Sequence, residues 1–364
     1  MHITQLELEC FRNYARAQFC PCPGITVLYG DNAQGKTALL EAVYLSSTGR
    51  SHRTPRDREL IMWDQPIARV RVVAERRDGS HEVEIALSRT ERKTIKVSGN
   101  PIGRSGELMG HVTSVLFAPE DLSIVKDGPA ERRRFIDMEL SQIKPAYYYQ
   151  LQRYSRALSQ RARLLKEAIA RPSLCATIPM WDEQLALSGA KIIEYRRAFV
   201  EKLGAHAQKI HCGLSAGREK LDVRYQCTIA STESGAQLSD ALYQALEKAR
   251  PSDERRLITS VGPHRDDLAL LLNGVDARMY GSQGQQRSCA LSLKLSELSV
   301  MREETGEAPI LMLDDVMSEL DPTRRRQLLE TLEGVQTLIT CTDPSDLAGA
   351  QVGLLQRISA GTLS

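Results

Sequence analysis

No stretch of about 18 consecutive apolar residues occurs in the chain, so no transmembrane helix is expected. The opening residues "MHITQLELECF" carry Glu7 and Glu9 where a secretory signal would be apolar, which argues against export. The eight cysteines are scattered, and a lone C-x-C at Cys20 and Cys22 gives little ground for a metal. Cys10, Cys227, Cys289 and Cys341 sit in apolar strand-like or helical runs and read as buried, reduced thiols of a cytoplasmic protein. Internal repeats and low-complexity tracts are also missing. What is present is a 364-residue chain, 42% hydrophobic and 26% charged, able to bury the core of one large domain or two ordinary ones. Its net charge is only +2, yet residues 132–171 hold ten lysines and arginines against three acids, so the remainder is net negative. Such a split suits one face for a polyanion, or an ordinary solvated helix face.

The texture of the chain changes twice. Up to about residue 121 it is strand-rich. "ITQLELECF" and "GITVLYG" read as strands, "ALLEAVYLSS" as a helix, and "ARVRVVAE", "HEVEIALSR" and "KTIKVSG" as alternating strands joined by turns. Beyond it, Leu151, Tyr154, Leu158, Ala162, Leu165 and Ile169 form a helical stripe. A break at "RPSLCATIP" follows. The second stripe is Leu185, Gly189, Ile192, Arg196, Phe199, Leu203, His206 and Ile210. Two long helices about a short break predict an antiparallel hairpin, with shorter helices near 238–249 and 252–260. From Gly262 strands and helices alternate again. The expected organisation is therefore one α/β domain, residues 1–121 plus 262–364, interrupted by a helical arm, residues 122–261.

The chemistry begins at "GDNAQGKT", Gly30, Asp31, Asn32, Ala33, Gln34, Gly35, Lys36 and Thr37. It matches G-x-x-x-x-G-K-[ST] between an apolar strand and a helix, the setting in which backbone N–H groups cradle phosphates. Lys36 would reach the β- and γ-phosphates of ATP, and Thr37 would bind Mg²⁺. A P-loop calls for an apolar strand ending in a carboxylate that holds the magnesium. "APILMLDD" supplies it, with Asp314 for the metal and Asp315 to polarise the attacking water. Two adjacent acids at the end of a buried strand are costly unless a cation or a proton uses them.

Ser282-Gln283-Gly284-Gln285 resembles the S-x-G-Q signature of ABC-type ATPases, and "SELDP", Ser318–Pro322, resembles their D-loop. In that class two heads face each other. The signature serine and glycine, at a helix N-terminus, complete the ATP site of the opposite head, which implies nucleotide-binding roles for Ser282, Gly284 and Gln285. An ABC transporter subunit is the alternative. Transporter signatures follow the P-loop far more closely, and a histidine follows the Asp-bearing strand. Here Ser282 lies 245 residues beyond Thr37, and "TLITCTD" ends without a histidine. An inserted helical arm is instead similar to SMC-like DNA-repair ATPases, and the chain has no room for the nuclease module some of them carry.

The strings "LECFRNY", "GDNAQGKTALLEAVYLSSTGRSHRT", "LFAPEDLSIVKDGPAERRRFID", "GPHRDDL", "GSQGQQR" and "LMLDDVMSELD" together resemble the RecF family of bacterial recombination mediators. The resemblance spans nearly the whole chain and is least between about 172 and 250. It implies an ABC-type, SMC-like head with an inserted arm. It also implies an ATP-dependent DNA-binding protein of replication, recombinational repair and the SOS response. Such a protein dimerises on ATP, hydrolyses it slowly, recognises gapped duplex DNA and single/double-strand junctions, and helps RecO and RecR load RecA on single strands. Two departures stand out. Ala33 occupies a usual glycine position, so the loop there must suit a Cβ. Asp315 replaces a glutamate, and its shorter side chain fits slow turnover. Glu120 and Asp121 are the candidates for the glutamine-loop position.

Arg12 and Asn13, with Tyr14, are placed by the resemblance near the nucleotide base or α-phosphate, or form an ordinary turn. The arginine-rich "GRSHRTPRDREL" offers Arg50, Arg53 and Arg56 to DNA phosphates, with nucleotide sensing or pairing to Glu59 as alternatives. Arg132 and Arg133, with Arg134, are DNA candidates at the start of the arm, unless they pair with Asp137 or Glu131. His264 and Arg265 read as structural, and Tyr147-Tyr148-Tyr149 either stack on bases or pack at the base of the arm.

Overall fold

The computed structural model describes residues 1–229, 234–330, 332–347 and 349–363. The chain divides into two compact units. One comprises Met1–Leu122, Ile210–Arg218 and Ala290–Ser364, the other Ser123–Lys209 and Glu219–Cys289. The first boundary falls between Leu122 and Ser123. The second falls at Cys289, so residues 262–289, the signature among them, cluster with the helical unit rather than with the head.

The first unit starts with β1 (His2–Phe11), β2 (Tyr14–Phe19), β3 (Ile25–Tyr29) and helix α1 (Lys36–Thr48). β4 (Ile67–Arg76), β5 (Gly79–Ser88), β6 (Thr94–Val97), β7 (Asn100–Ile102) and β8 (Ser114–Phe117) follow. Its later part holds most of α8 (Gln283–Thr305), then β12 (Ile310–Asp314), α9 (Pro322–Glu330), β13 (Thr337–Cys341), β14 (Val352–Ser359) and β15 (Thr362–Leu363). Thr331, just past the end of α9, lies outside the described residues.

Two sheets result. The antiparallel sheet runs β2-β1-β4-β5-β6-β7, and its alternating strands turn Ile3, Leu6, Leu8, Val70, Val72, Val83 and Ile85 inward. The second sheet runs β15-β14-β3-β13-β12-β8, parallel except for β15. Its central strands β12 and β13 are buried at every residue because parallel strands are covered on both faces. Helix α1 shares one core with both sheets, and nearly all of its residues are buried. It therefore shows hardly any amphipathic pattern.

The second unit contains α2 (Ser123–Lys126), α3 (Pro129–Ile143), α4 (Pro145–Glu167) and most of α5 (Ile178–Leu214). It also contains β9 (Leu221–Gln226), α6 (Gly235–Arg256), β10 (Asp267–Leu272), β11 (Val275–Asp276) and α7 (Ala277–Tyr280). A three-stranded antiparallel sheet, β11-β10-β9, lies inside this unit, so it is not purely helical. The two short helices expected at 238–260 are a single helix, α6, that carries Pro251 within it and ends at Leu257 with φ 57°.

The stripe on α4 also differs from its expectation. Tyr154, Ala157, Arg161 and Leu165 are buried, while Ile169 lies beyond the helix and is 71% exposed. Arg161 enters the core because buried carboxylates receive it: Nε donates to Asp182 at 2.6 Å and Nη1 to Asp253 at 3.0 Å. On α5, Arg196 does lie on the buried face, bound to Asp137 at 2.7 Å. The eight cysteines are free thiols; Cys289 and Cys341 are buried, Cys10 and Cys227 half-buried. Among the described residues no helix is long and apolar enough to cross a membrane.

Candidate nucleotide-binding site

The parallel sheet builds the site at its carboxyl edge, where α/β sheets place their ligands. β3 delivers the P-loop, β12 ends at Asp314, and β13 lies between them. The register pairs Asp314 with Thr340. Both Thr340 Oγ1, at 2.7 Å, and Thr37 Oγ1, at 3.0 Å, donate to Asp314 Oδ1. Burial raises the Asp314 carboxyl above its ordinary value, against these two hydrogen bonds. The neighbouring Glu120 charge acts in the same direction as burial. A divalent cation would remove that penalty. A hydroxyl and a carboxylate side by side, both hard oxygen donors, fit Mg²⁺, which takes one or two carboxylates and completes its shell with water and phosphate.

The P-loop is held from three sides. Lys36 is 8% exposed and curls under the loop, with Nζ 2.5 Å from the Gly30 carbonyl and 2.9 Å from that of Asp31. Asn13 Nδ2 donates to the Gln34 carbonyl at 2.9 Å, and the Tyr14 hydroxyl donates to that of Gly35 at 3.1 Å. A Cβ on Gly35 would stand 2.7 Å from Asn13, and the φ there is 116°, so two constraints ask for glycine. The third support was not read from the sequence. The β14–β15 hairpin reaches the loop: Ala360 N–H donates to Gln34 Oε1 at 2.6 Å and Gly361 N–H to the Gln34 carbonyl at 3.0 Å. A Cβ on Gly30 would lie 2.3 Å from the Ile358 carbonyl of that hairpin. Ala33 sits at φ 64°, a left-handed conformation that costs a non-glycine residue about 1–2 kcal/mol. Asp315 is left-handed too, at φ 52°, with its N–H on Thr340 Oγ1 at 2.9 Å and its side chain exposed.

Beside the loop opens a cleft of ≈ 760 Å³. Asn32, Lys36, Thr37, Asp314, Asp315 and Thr340 form its polar end. Arg12, Asn13 and Arg53 also line it, as do Ile61, Met62 and Trp63. Arg12 is largely committed to structure. Its Nε and Nη2 each contact Glu41 at 2.7 Å, and Nη1 donates to the Glu59 carbonyl at 2.9 Å. Burial alone would raise the Glu41 carboxyl, but Arg12 and Ser51 outweigh it and hold it below the usual range. Glu41 was missed in the sequence because only the fold brings it to Arg12.

The signature stretch stands on the second unit. Ser282 N–H is 2.8 Å from Gln285 Oε1, and Gln285 N–H is 3.3 Å from Ser282 Oγ. These form a reciprocal capping box at the start of α8. Gln285 also donates to Glu219 at 2.9 Å, so its side chain is engaged locally. Ser282 and Gly284 remain exposed. A Cβ on Gly284 would meet nothing within 4 Å, and its φ is not left-handed, so nothing within the chain requires glycine there. In the D-loop stretch, Asp321 caps α9 by accepting from Arg324 N–H at 3.0 Å, and Ser318 bonds the Asp315 carbonyl at 3.0 Å.

The DNA candidates separate. Arg132 is 5% exposed and bidentate to Asp267 at 2.6 and 2.9 Å, and Arg133 donates to the Asp266 carbonyl at 2.7 Å. Arg132 turns inward because the Asp267 carboxylate of "HRDDL" receives it, and Arg133 is half-buried on a backbone carbonyl of the same stretch, which corrects the expectation that they face DNA. Arg134 pairs with Glu131 at 3.7 Å. Arg53 lines the nucleotide cleft, Arg56 is exposed beside Glu59 at 3.4 Å, and Arg50 is exposed. His264 is structural: Tyr154 hydroxyl and Nδ1 are 2.6 Å apart, and Nε2 lies 2.9 Å from the Thr259 carbonyl. Of the tyrosines, Tyr147 is buried and Tyr149 is 37% exposed. Asp121 accepts from Ala118 N–H at 2.8 Å, and Glu120 is exposed.

Residues 2–356 match the family model described as the RecF/RecN/SMC N terminal domain. The DNA replication and repair protein RecF of Lachnoclostridium phytofermentans is 44% identical over 342 residues, 94% of this chain and 93% of that protein. The chain belongs to the RecF family. The RecF protein of Acetivibrio thermocellus is 41% identical over 99% of both chains. A solved structure described as the recombination mediator protein RecF-ATP in the RecFOR pathway superposes with a TM-score of 0.93 at 38% identity, covering 100% of this chain and 97% of that one. An Smc head from Pyrococcus furiosus, at a TM-score of 0.59 and 16% identity, shares the fold alone. The architecture is thus that of an ABC-type, SMC-like ATPase head, with the RecF arm inserted.

Proposed function

We propose that this RecF-family chain is an ATP-dependent DNA-binding protein of DNA replication and recombinational repair. In this reading it binds ATP and Mg²⁺ and dimerises. It engages gapped duplex DNA at single/double-strand junctions and acts with RecO and RecR to load RecA. The observation that carries the reading is the convergence of Thr37, Thr340 and Asp314 beside the P-loop. Lys36 and the start of α1 would hold the phosphates, Thr37 and Asp314 the magnesium, and Asp315 would orient water for slow hydrolysis. Bound magnesium would supply charge neutralisation at the phosphates. Relatives named DNA replication and repair protein, and a neighbour solved as RecF-ATP, support the assignment.

Dimerisation is supported by Gly284, a glycine that no internal contact or dihedral demands, next to an exposed Ser282. A second head approaching closely would demand it. For DNA, the α4 face opposite the buried Tyr154 and Arg161 exposes Arg153, Arg156, Arg163 and Lys166. Cations spaced along a helix suit a phosphate backbone.

Light scattering after size exclusion, with ATP and a gapped duplex, tests both halves. Wild type is expected to double in mass with ATP. Ser282→Arg is expected to stay monomeric while still binding nucleotide, and Arg153→Glu/Arg156→Glu to dimerise but release DNA at lower salt. A Ser282→Arg protein that dimerises normally would remove the cross-head role.

A further inference from the structure

Among the described large apolar side chains Trp63 is the most exposed, at 86%. Tryptophan is buried on average, and a single exposed apolar residue would need no explanation. Trp63, however, is one wall of the nucleotide cleft, continuous with Ile61 and Met62. The backbone that carries it is fixed on both sides. Arg12 N–H donates to the Leu60 carbonyl at 2.7 Å and Met62 N–H to that of Cys10 at 2.8 Å. An isolated bridge pairs Ile61 with Phe11. Beyond it, a turn closes from Gln65 N–H to the Met62 carbonyl at 3.2 Å, with Asp64 left-handed at φ 59°. Arg89 locks that turn, donating to the carbonyls of Gln65 at 2.8 Å and Met62 at 3.1 Å.

A large flat ring is thus displayed to solvent on a rigid support, lining a cleft whose other walls, the P-loop among them, are built for phosphates. A nucleoside triphosphate has the same polarity, anionic at one end and flat and aromatic at the other. We propose that Trp63 is the base-binding platform of the cleft, stacking on the adenine of ATP. The proposal rests on the nucleotide reading of the P-loop and adds a residue that no motif identifies. Fixing the backbone that carries the ring lowers the ordering cost of binding.

The chain has two tryptophans, Trp63 and Trp181, so Trp181→Phe leaves Trp63 as the sole reporter. In that protein ATP with Mg²⁺ is expected to quench tryptophan emission, and inorganic tripolyphosphate is not. By calorimetry, Trp63→Ala should weaken ATP by about 5- to 150-fold, the range of base–aromatic stacking. Its affinity for tripolyphosphate should be unchanged, and Trp63→Phe should recover most of the loss. Lys36→Ala should lose both ligands, which tests the phosphate site separately. Equal ATP affinity in wild type and Trp63→Ala overturns the stacking while leaving the P-loop reading intact, and so does a change in dimerisation alone. A wild type that binds neither ligand overturns both.

Discussion

In the helical unit the most deeply buried charges are arginines that face acids. Arg161 has no exposed surface and meets Asp182 and Asp253, both also fully buried, together with Thr259 at 2.9 Å. Asp182 takes a further hydrogen bond from Arg250 at 2.9 Å. Arg196 meets Asp137, Tyr147 and the Pro263 carbonyl, the last at 2.7 Å. In the head cleft the arrangement is reversed. Asp314 is nearly buried with two hydroxyls as its hydrogen-bond partners, Asp315 is exposed in a left-handed conformation, and Lys36 donates to carbonyls rather than to an acid. The same residue types therefore do different work. The arm's buried arginines find acid partners within the chain, which specify how its helices meet. Arg12 apart, the cleft's charges around the P-loop lack such partners, and a ligand would complete them.

The largest effect expected from this contrast is on folding of the arm. Arg161→Ala leaves Asp182 and Asp253 facing each other without their central cation. Removing one member of a buried network of this kind costs about 3–5 kcal/mol. Urea denaturation followed by helical circular dichroism measures it. A loss no larger than the 1 kcal/mol or so of an exposed pair would mean that water reaches the network and that the two regions do not differ as described.

How much of this was readable beforehand depended on distance along the chain. The P-loop and "LMLDD" are contiguous strings whose chemistry is complete within a few residues, so they could be placed from the sequence. Thr340 could not, because its role follows from the strand register that puts it beside Asp314. Neither could Glu41, which meets Arg12 only in the folded chain. Arg132 and Arg133 were misread for a related reason. A run of arginines reveals charge but not direction, and the groups that receive these two, the Asp267 carboxylate and the Asp266 carbonyl, lie far along the sequence. The β14–β15 hairpin escaped notice because β14 is mostly exposed or half-buried and shows little periodic pattern. Trp63 was not singled out, since nothing in its sequence neighbours announces an exposed ring.

A middle-sized effect sharpens the arm side of the comparison through pH. Burial pushes His264 down to about 4, and its two ring nitrogens are occupied by Tyr154 and Thr259. The unfolded histidine titrates near 6.5. The unfolded chain therefore takes up the proton first, and stability is lost as pH falls from about 6.5 towards 4. The loss attributable to this group reaches about 3 kcal/mol at the bottom of the window. His264→Gln should flatten that part of the stability–pH curve by roughly one proton relative to wild type. His52, also pushed down to about 4, contributes the same sign to both proteins and cancels in the difference. Parallel curves for the two proteins would show that His264 stays solvated.

The smallest effect carries the opposite sign and bears on the cleft. Asp314 is held above its ordinary carboxylate value by burial, so at neutral pH its charged form opposes folding. Asp314→Asn removes the charge and keeps an oxygen that Thr37 and Thr340 can donate to. Without nucleotide or Mg²⁺, the variant should melt about 2–4 °C higher than wild type, the scale of roughly one kcal/mol in a unit of this size. The gain should shrink as pH falls through the raised value, because the wild-type carboxyl then takes up a proton itself. With ATP and Mg²⁺ the order should reverse, since only the wild type can complete its site and gain the stability that ligand binding confers. A functional carboxylate that weakens the empty fold and strengthens the loaded one is the expected mark of a site kept at some cost to stability. If Asp314→Asn instead melts lower in every condition, Asp314 belongs with Arg161 as a structural charge, and the contrast between head and arm collapses.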